Sequence, residues 1–258
     1  MASRIGPGRL PAGRARTGAR LTAVPGPVAL IGAGEFLPGM AAFDRDLLAS
    51  IDRARPRVVI LPTASAPDGE AVFRRWADLG ADHFAALGAE VEPVLIRNRE
   101  EAGDEAAAQA IGEADLVSLS GGKPGHLRRT LDGTRAGGAL WAAHQRGAVI
   151  AGCSAGAMVL AARQPEFRRG MLPWPLRWKD GLALVDAVAI LPHYDAWPEV
   201  VVALMALQAP RHVAVLGIDE DTAVIGRDGA WQVHGRARVT VWRGRHRERF
   251  RRGDVFRL

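Results

Sequence analysis

Residues 148–162 read Ala-Val-Ile-Ala-Gly-Cys-Ser-Ala-Gly-Ala-Met-Val-Leu-Ala-Ala. Ala148–Ala151 is a short apolar run suited to a buried strand, and Ala155–Ala162 is an apolar helical stretch. Between them lies Gly152-Cys153-Ser154-Ala155-Gly156, a G-x-S-x-G segment in the strand–turn–helix setting that this motif needs. The reason is steric. A serine at so sharp a turn holds strained backbone angles, and its neighbours must be small. Its hydroxyl then stands over the sheet edge, and the Ala155 amide, at the helix start, faces a developing oxyanion. Without chemistry, the same segment is a Gly-rich connection. Cys153 is the rival nucleophile, but glycine flanks Ser154 at the motif spacing, whereas alanines flank Cys153. Cys153 therefore reads as a buried strand-end residue.

Working outward, the chain repeats this pattern. Val28–Ile31 ends in Gly32-Ala33-Gly34, Val58–Leu61 is closed by Pro62, and Leu116–Leu119 ends in Ser120-Gly121-Gly122. Val91–Ile96 reads as a further strand. Asp68–Leu87 has helical spacing, with Phe73, Trp76, Leu79, Phe84 and Leu87 near one face, and Asp104–Ala114 is a second helix. Short apolar strands alternating with helices predict an α/β fold, a three-layer sandwich on a mainly parallel central sheet. Ligands bind beyond the carboxyl ends of such strands, and here those ends are rich in Gly, Ser and Thr. After Asp180, Leu182–Leu191, Val213–Ile218, Ala223–Ile225, Trp231–Val233 and Val239–Trp242 suggest more strands, the later ones antiparallel.

The 258 residues are 48% apolar, enough for one large core, so residues 25–258 are expected to form a single domain. A lone cysteine excludes a disulfide scaffold and a Cys-rich zinc site. No uncharged apolar run reaches the ~18 residues of a membrane span, and the longest candidate, Gly147–Ala162, contains Gly, Cys and Ser and reads as a turn inside a core. The net charge of +6 sits at the ends: residues 1–26 carry five arginines and no acid, and residues 243–258 seven arginines and two acids. The centre is mildly acidic, which argues against a nucleic-acid partner. Residues 1–24 read as a disordered basic leader. Pro25 and Pro27 interrupt a signal-like apolar stretch, so a cytoplasmic protein is expected. Alternating arginines over 243–251 read as a solvated edge strand that resists aggregation.

An activated serine needs a base and an orienting acid. Of seven histidines, His193 ends the apolar run Ala187–Leu191 after a proline, and His126 follows Gly122-Lys123-Pro124-Gly125 as its rival. His83, His144, His212, His234 and His246 read as surface or packing residues. Asp219, Glu220 and Asp221 end the Val213–Ile218 strand, and spacing alone does not choose among them.

Taken together, Leu61–Ser65, Leu119–Gly122, Ala151–Ala157, Pro192–Tyr194 and Gly217–Ala223 make the chain resemble the serine peptidase family of cyanophycinase and aspartyl dipeptidase (peptidase E-like). The resemblance spans residues 28 to about 242. It implies a class I glutamine amidotransferase-like fold and a serine peptidase or amidase acting on a small peptide. Ser154 would be the nucleophile, His193 the base and Glu220 its orienting acid, with the Gly122 and Ala155 amides as oxyanion hole. No metal or organic cofactor is implied. Two departures bear on substrate. Lys123-Pro124 stands where cyanophycinases carry Asn or Asp and then Gln, and Asp195–Leu204 has no arginine. Asp-X or β-aspartyl dipeptides need a cation, for which Lys123, Arg97 and Arg99 are candidates. Glu35, after Gly34, reads as a side chain lining the site or as a helix-start acid. Trp174, Trp178 and Trp197 would be core, a substrate wall or the surface of a homodimer. Two other readings stand beside this one. A non-catalytic ligand-binding or regulatory member of the same fold would keep the scaffold alone. Glutamine amidotransfer would need a cysteine at the elbow. A dinucleotide fingerprint is absent, because Leu37 occupies the third glycine position after Gly32 and Gly34.

Overall fold

Apolar runs without polar alternation suit strands that are covered on both faces, and the computed structural model, which describes residues 24–166, 175–227 and 229–258, places them so. In chain order the elements are β1 (Val28–Ile31), α1 (Ala41–Ala49), β2 (Arg57–Leu61), α2 (Glu70–Ala86), β3 (Glu90–Pro93), α3 (Glu105–Glu113), β4 (Leu116–Leu119), α4 (Pro124–Leu131), α5 (Arg135–Arg146), β5 (Val149–Cys153) and α6 (Ala155–Leu160). They continue with β6 (Ala161–Glu166), β7 (Arg177–Asp180), β8 (Val185–Leu191), α7 (Glu199–Leu207), β9 (Ala214–Ile218), β10 (Thr222–Arg227), β11 (Ala230–Gly235), β12 (Arg238–Arg243), β13 (His246–Arg251) and β14 (Val255–Arg257). Trp174 and all of the expected leader except Val24 lie outside the described residues.

Eight strands form one sheet in the order β14-β11-β10-β1-β5-β4-β2-β3. Its β1, β5, β4, β2 and β3 are parallel, and β10, β11 and β14 extend it antiparallel beside β1. The other six strands form a second sheet, β13-β12-β9-β8-β6-β7, which the sequence pattern did not separate from the first. Strand alternation fixes the layers. Ala29, Ile31, Val58 and Ile60 pack toward Phe43, Leu47 and Phe84 on α1 and α2. Val28, Leu30, Val59 and Leu61 point the other way, into a larger core shared with α3–α6 and with Val188, Ile190, Leu216 and Val241 of the second sheet. The outer face of that second sheet carries α7, through Leu191, Val202, Met205, Val215 and Trp242.

The phase of α2 differs from the expected one. Its buried stripe is Phe73, Ala77, Gly80 and Phe84, while Leu79 is 38% exposed. Gly80 sets this phase, because a Cβ there would stand 2.9 Å from Ile60 Cγ2 and 3.0 Å from Phe36 Cζ. The helix lies too close to β2 for a larger residue at the contact. The edge strand β13 is solvent-exposed, as its arginines suggested, but it is not wholly unengaged. Arg247 and Arg249 both bind Glu199, the first residue of α7. Trp178 and Trp197 pack partly buried against the α7 cluster. Among the described residues, no helix is long and apolar enough to cross a membrane.

The α2 phase is directly testable. Phe84→Ala is expected to cost about 3–5 kcal/mol in urea unfolding, the range for truncating a buried phenylalanine. Leu79→Ala should stay within ~0.5 kcal/mol of wild type, as for exposed positions; equal losses would place both residues in the core.

Candidate active site

Strand β5 passes into α6 through Ser154, whose φ of 49° and ψ of −107° are strained for a residue with a Cβ. The crossing is held from several sides. Ser154 N–H donates to Ile31 O at 2.9 Å, and Met158 N–H donates to Ser154 O at 3.0 Å. A Cβ on Gly152 would lie 2.6 Å from the Gly156 carbonyl carbon, and one on Gly156 would run into the Leu119 carbonyl. Both glycines are thus fixed by close packing of α6 on β5 and β4. The helix is shorter than its apolar composition suggested. It stops at Leu160, where Leu182 N–H takes the Val159 carbonyl at 2.7 Å and the chain turns into β6. Ala155 N–H, in the first turn, has no carbonyl four residues before it within the helix.

His193 arrives from the second sheet. It follows β8 in a left-handed conformation, φ 50° and ψ 41°. The next residue anchors this turn: buried Tyr194 accepts from Trp242 Nε1 at 3.0 Å, and its ring occupies the space over Gly217 that a Cβ there would need. His193 Nδ1 lies 2.8 Å from Glu220 Oε1, and its Nε2 lies 3.0 Å from Ser154 Oγ. A carboxylate can only accept, so Nδ1 carries the proton and Nε2 accepts from the serine hydroxyl. The imidazole is 40% and the carboxylate 49% exposed. A hydrogen bond to a carboxylate in such contact with water adds little stability, so its consequence is the orientation of the ring.

The three acids that spacing left open have separate environments. Glu220 faces the histidine. Asp219 is 2% exposed and accepts from the Arg238 amide at 3.1 Å; burial raises its carboxyl above the ordinary range, and Arg238 only partly offsets this. Asp221 pairs with Arg236 at 2.8 Å. Asp195, noted in the sequence only where arginine was missing, accepts from the Glu220 amide at 3.0 Å. The signal for its role was its place two residues beyond His193, but its partner is 25 residues away in the chain.

The other candidates fall around this chain. Gly122 (φ 139°) follows β4, and a Cβ there would be 2.7 Å from Ser65 N, in the turn after β2. Lys123 N–H, next to it, donates to Ala64 O at 2.7 Å. The Lys123 ammonium is 58% exposed and pairs with Asp68 at 3.1 Å. Arg97 is held by Glu70 and Glu101, and it keeps the Glu70 carboxyl down at about 2. Arg99 donates to the Arg129 and Asp132 carbonyls. His126, the rival base, donates Nε2–H to Arg97 O at 2.8 Å, while Ser154 meets His193. Glu35, read as a side chain lining the site, is 8% exposed, with both oxygens already engaged. Among the described residues, no group of three or more His, Cys, Asp or Glu is placed to hold a metal ion.

The sequence profile of peptidase family S51 matches residues 28–234. No curated protein matches the chain. Among solved structures, it is similar to a peptidase from an acI-B1 Actinobacterium, at 29% identity and a TM-score of 0.82, over 92% of this chain and 98% of that one. A peptidase E-like protein from Listeria monocytogenes EGD-e shares the fold, at 18% identity and a TM-score of 0.58, over 83% of this chain and 100% of that one.

The buried cysteine beside Ser154 gives a check on this geometry. Burial pushes the Cys153 thiol well above its ordinary range, and the neighbouring Glu35 carboxylate adds to the rise. The thiol therefore stays protonated at pH 8. We expect under about 0.1 equivalents to react with DTNB in the native protein and one in urea, since the thiolate is the reactive form. Rapid native reaction would place Cys153 in solvent.

Proposed function

The chain belongs to peptidase family S51 and is a serine-type peptidase, and we propose that it hydrolyses small peptides through Ser154, His193 and Glu220. The observation that carries this reading is the unbroken run of hydrogen bonds, 3.0 Å from Ser154 to His193 and 2.8 Å from His193 to Glu220, on a strained strand–helix turn. Ser154 Oγ attacks the substrate carbonyl while His193 Nε2 takes its proton. Glu220 holds the ring in the tautomer that can do this and stabilises the imidazolium that forms. The carbonyl oxygen, now negative, takes hydrogen bonds from the Gly122 and Ala155 amides. Each such donor is worth about 2.7–4 kcal/mol of transition-state stabilisation, because it is aimed before the charge develops. His193 then protonates the leaving amine, and water, deprotonated by the same ring, releases the acyl group from Ser154. Asp195, through the Glu220 amide, keeps the acid in line with the ring.

For the side chain beside the scissile bond we read an acidic residue, as in Asp-X or β-aspartyl dipeptides. Lys123 supports this. It adjoins Gly122, and among the described residues its exposed ammonium pairs only with Asp68, whereas Arg97 and Arg99 are committed to several carboxylates and carbonyls. A substrate carboxylate would exchange with Asp68 for the ammonium.

Intact-mass labelling with a small fluorophosphonate tests the first part. One adduct is expected on wild type and none on Ser154→Ala. Labelling should be at least ~10³-fold slower in His193→Ala and about 10²–10⁴-fold slower in Glu220→Gln, which leaves the wrong tautomer favoured. An adduct that persists in Ser154→Ala would defeat the assignment. For the substrate, kcat/KM is compared between Asp-X and Asn-X dipeptides. Lys123→Gln should lower that ratio about tenfold, the worth of an exposed charge-assisted contact at roughly 1.4 kcal/mol. A ratio near one in wild type would remove the acidic preference.

A further inference from the structure

We propose that Glu35 is a positioning residue that sets the oxyanion hole, by clamping the Gly121–Gly122 loop to the nucleophile elbow; this rests on the serine-peptidase reading above. After β1 the chain turns at Gly34 (φ 87°) and Phe36 (φ 62°), which drives the Glu35 side chain inward. Its Oε1 accepts from Gly121 N–H at 2.8 Å, and its Oε2 accepts from the Cys153 thiol at 2.7 Å. One carboxylate thus joins the ends of β1, β4 and β5. Each partner stands one residue before a reacting group: Gly121 before Gly122, and Cys153 before Ser154.

The placement fixes a peptide plane. Gly121 N–H is held by Glu35 on one side of Gly122, and Lys123 N–H is held by Ala64 O at 2.7 Å on the other. Gly122 N–H, between them, has no acceptor among the described residues, and Gly122 itself is exposed. Glu35 and Ser154 also share one side of Gly121. A Cβ there would meet Glu35 Oε1 at 2.9 Å and Ser154 Cβ at 3.5 Å. With glycine at both positions the loop has no side chain to hold it, so its direction depends on these two clamps. Burying a carboxylate carries a penalty that an apolar residue of similar size would not, unless its oxygens meet donors. Glu35 meets two, and both belong to the parts that must be aligned.

The test uses fluorophosphonate labelling of Ser154, in which the serine oxygen bonds to phosphorus, fluoride leaves and the proton passes to His193. Rates are measured across pH for wild type, Glu35→Ala, Glu35→Gln and Glu35→Met, with thermal unfolding of each. Glu35→Ala should lower the plateau rate about 10–100-fold without moving the pH at half-plateau, because His193 and Glu220 are untouched. Glu35→Gln, which keeps an acceptor for Gly121, should return to within about fivefold of wild type. Glu35→Met fills the same space without an acceptor and should behave as Glu35→Ala does, so it replaces that variant if alanine does not fold. Plateau rates within threefold of wild type in Glu35→Met, or a glutamine no better than methionine, would overturn the proposal. A shifted half-plateau pH would do so too, since it would mean general distortion of the site. A folded wild type that does not label at all would fail the serine reading itself, and this inference with it.

Discussion

Helix α6 crosses the ends of β4 and β5 at a separation that leaves no room for a Cβ at Gly152 or Gly156. That close approach is the constraint on which the rest depends. It forces the intervening residue into a conformation that unconstrained chains avoid, and such strain persists only where its surroundings over-determine it. Here the surroundings are a strand buried on both faces, a helix buried at every residue, and the Ile31 carbonyl holding the Ser154 amide. The strain points the Ser154 hydroxyl away from the sheet and leaves the Ala155 amide at the helix start.

The remaining groups come from elsewhere in the fold. Ser154 ends a strand of the eight-stranded sheet, whereas His193 and Glu220 follow β8 and β9, adjacent parallel strands of the second. Their strand ends lie side by side, which brings imidazole and carboxylate together. The junction is fixed by one aromatic anchor, in which Tyr194 fills the space over Gly217 and takes the Trp242 indole N–H. Helix α7 follows directly, and the arginines of β13 hold its first residue.

Much of this was legible in residue order. The apolar runs and their Gly-rich ends define the α/β class and the edge where ligands bind. The elbow and the Pro192–Tyr194 and Gly217–Ala223 segments named the residues that the structure brings into one hydrogen-bonded chain. What stayed illegible depends on contacts between distant segments. Nothing local distinguishes Asp219, Glu220 and Asp221; their fates follow from Arg238, His193 and Arg236. The phase of α2 could not be read from Leu79 and Gly80, because the approach of β2 reverses the usual preference for leucine inside. Glu35 read as a side chain lining the site or a helix-start acid, and its partners are 86 and 118 residues away. The partition of the later strands between two sheets likewise leaves no trace in their period-two pattern.

The register of β10 against β1, with Ile31 opposite Ala223, has a consequence for biosynthesis. During translation the elbow and its glycines emerge well before the imidazole, and the imidazole before the carboxylate. Until about residue 227 has left the ribosome, β1 has an open edge, and until about residue 243 the second sheet lacks β12, the neighbour that holds β9. Pairings at such sequence separation form late, since loop closure precedes any gain from contact. The nascent chain therefore carries Ser154 through the next 66 residues of synthesis before both the imidazole and the carboxylate of its hydrogen-bonded run have been made. Chain order thus delays the assembly of the Ser154–His193–Glu220 run until late in synthesis.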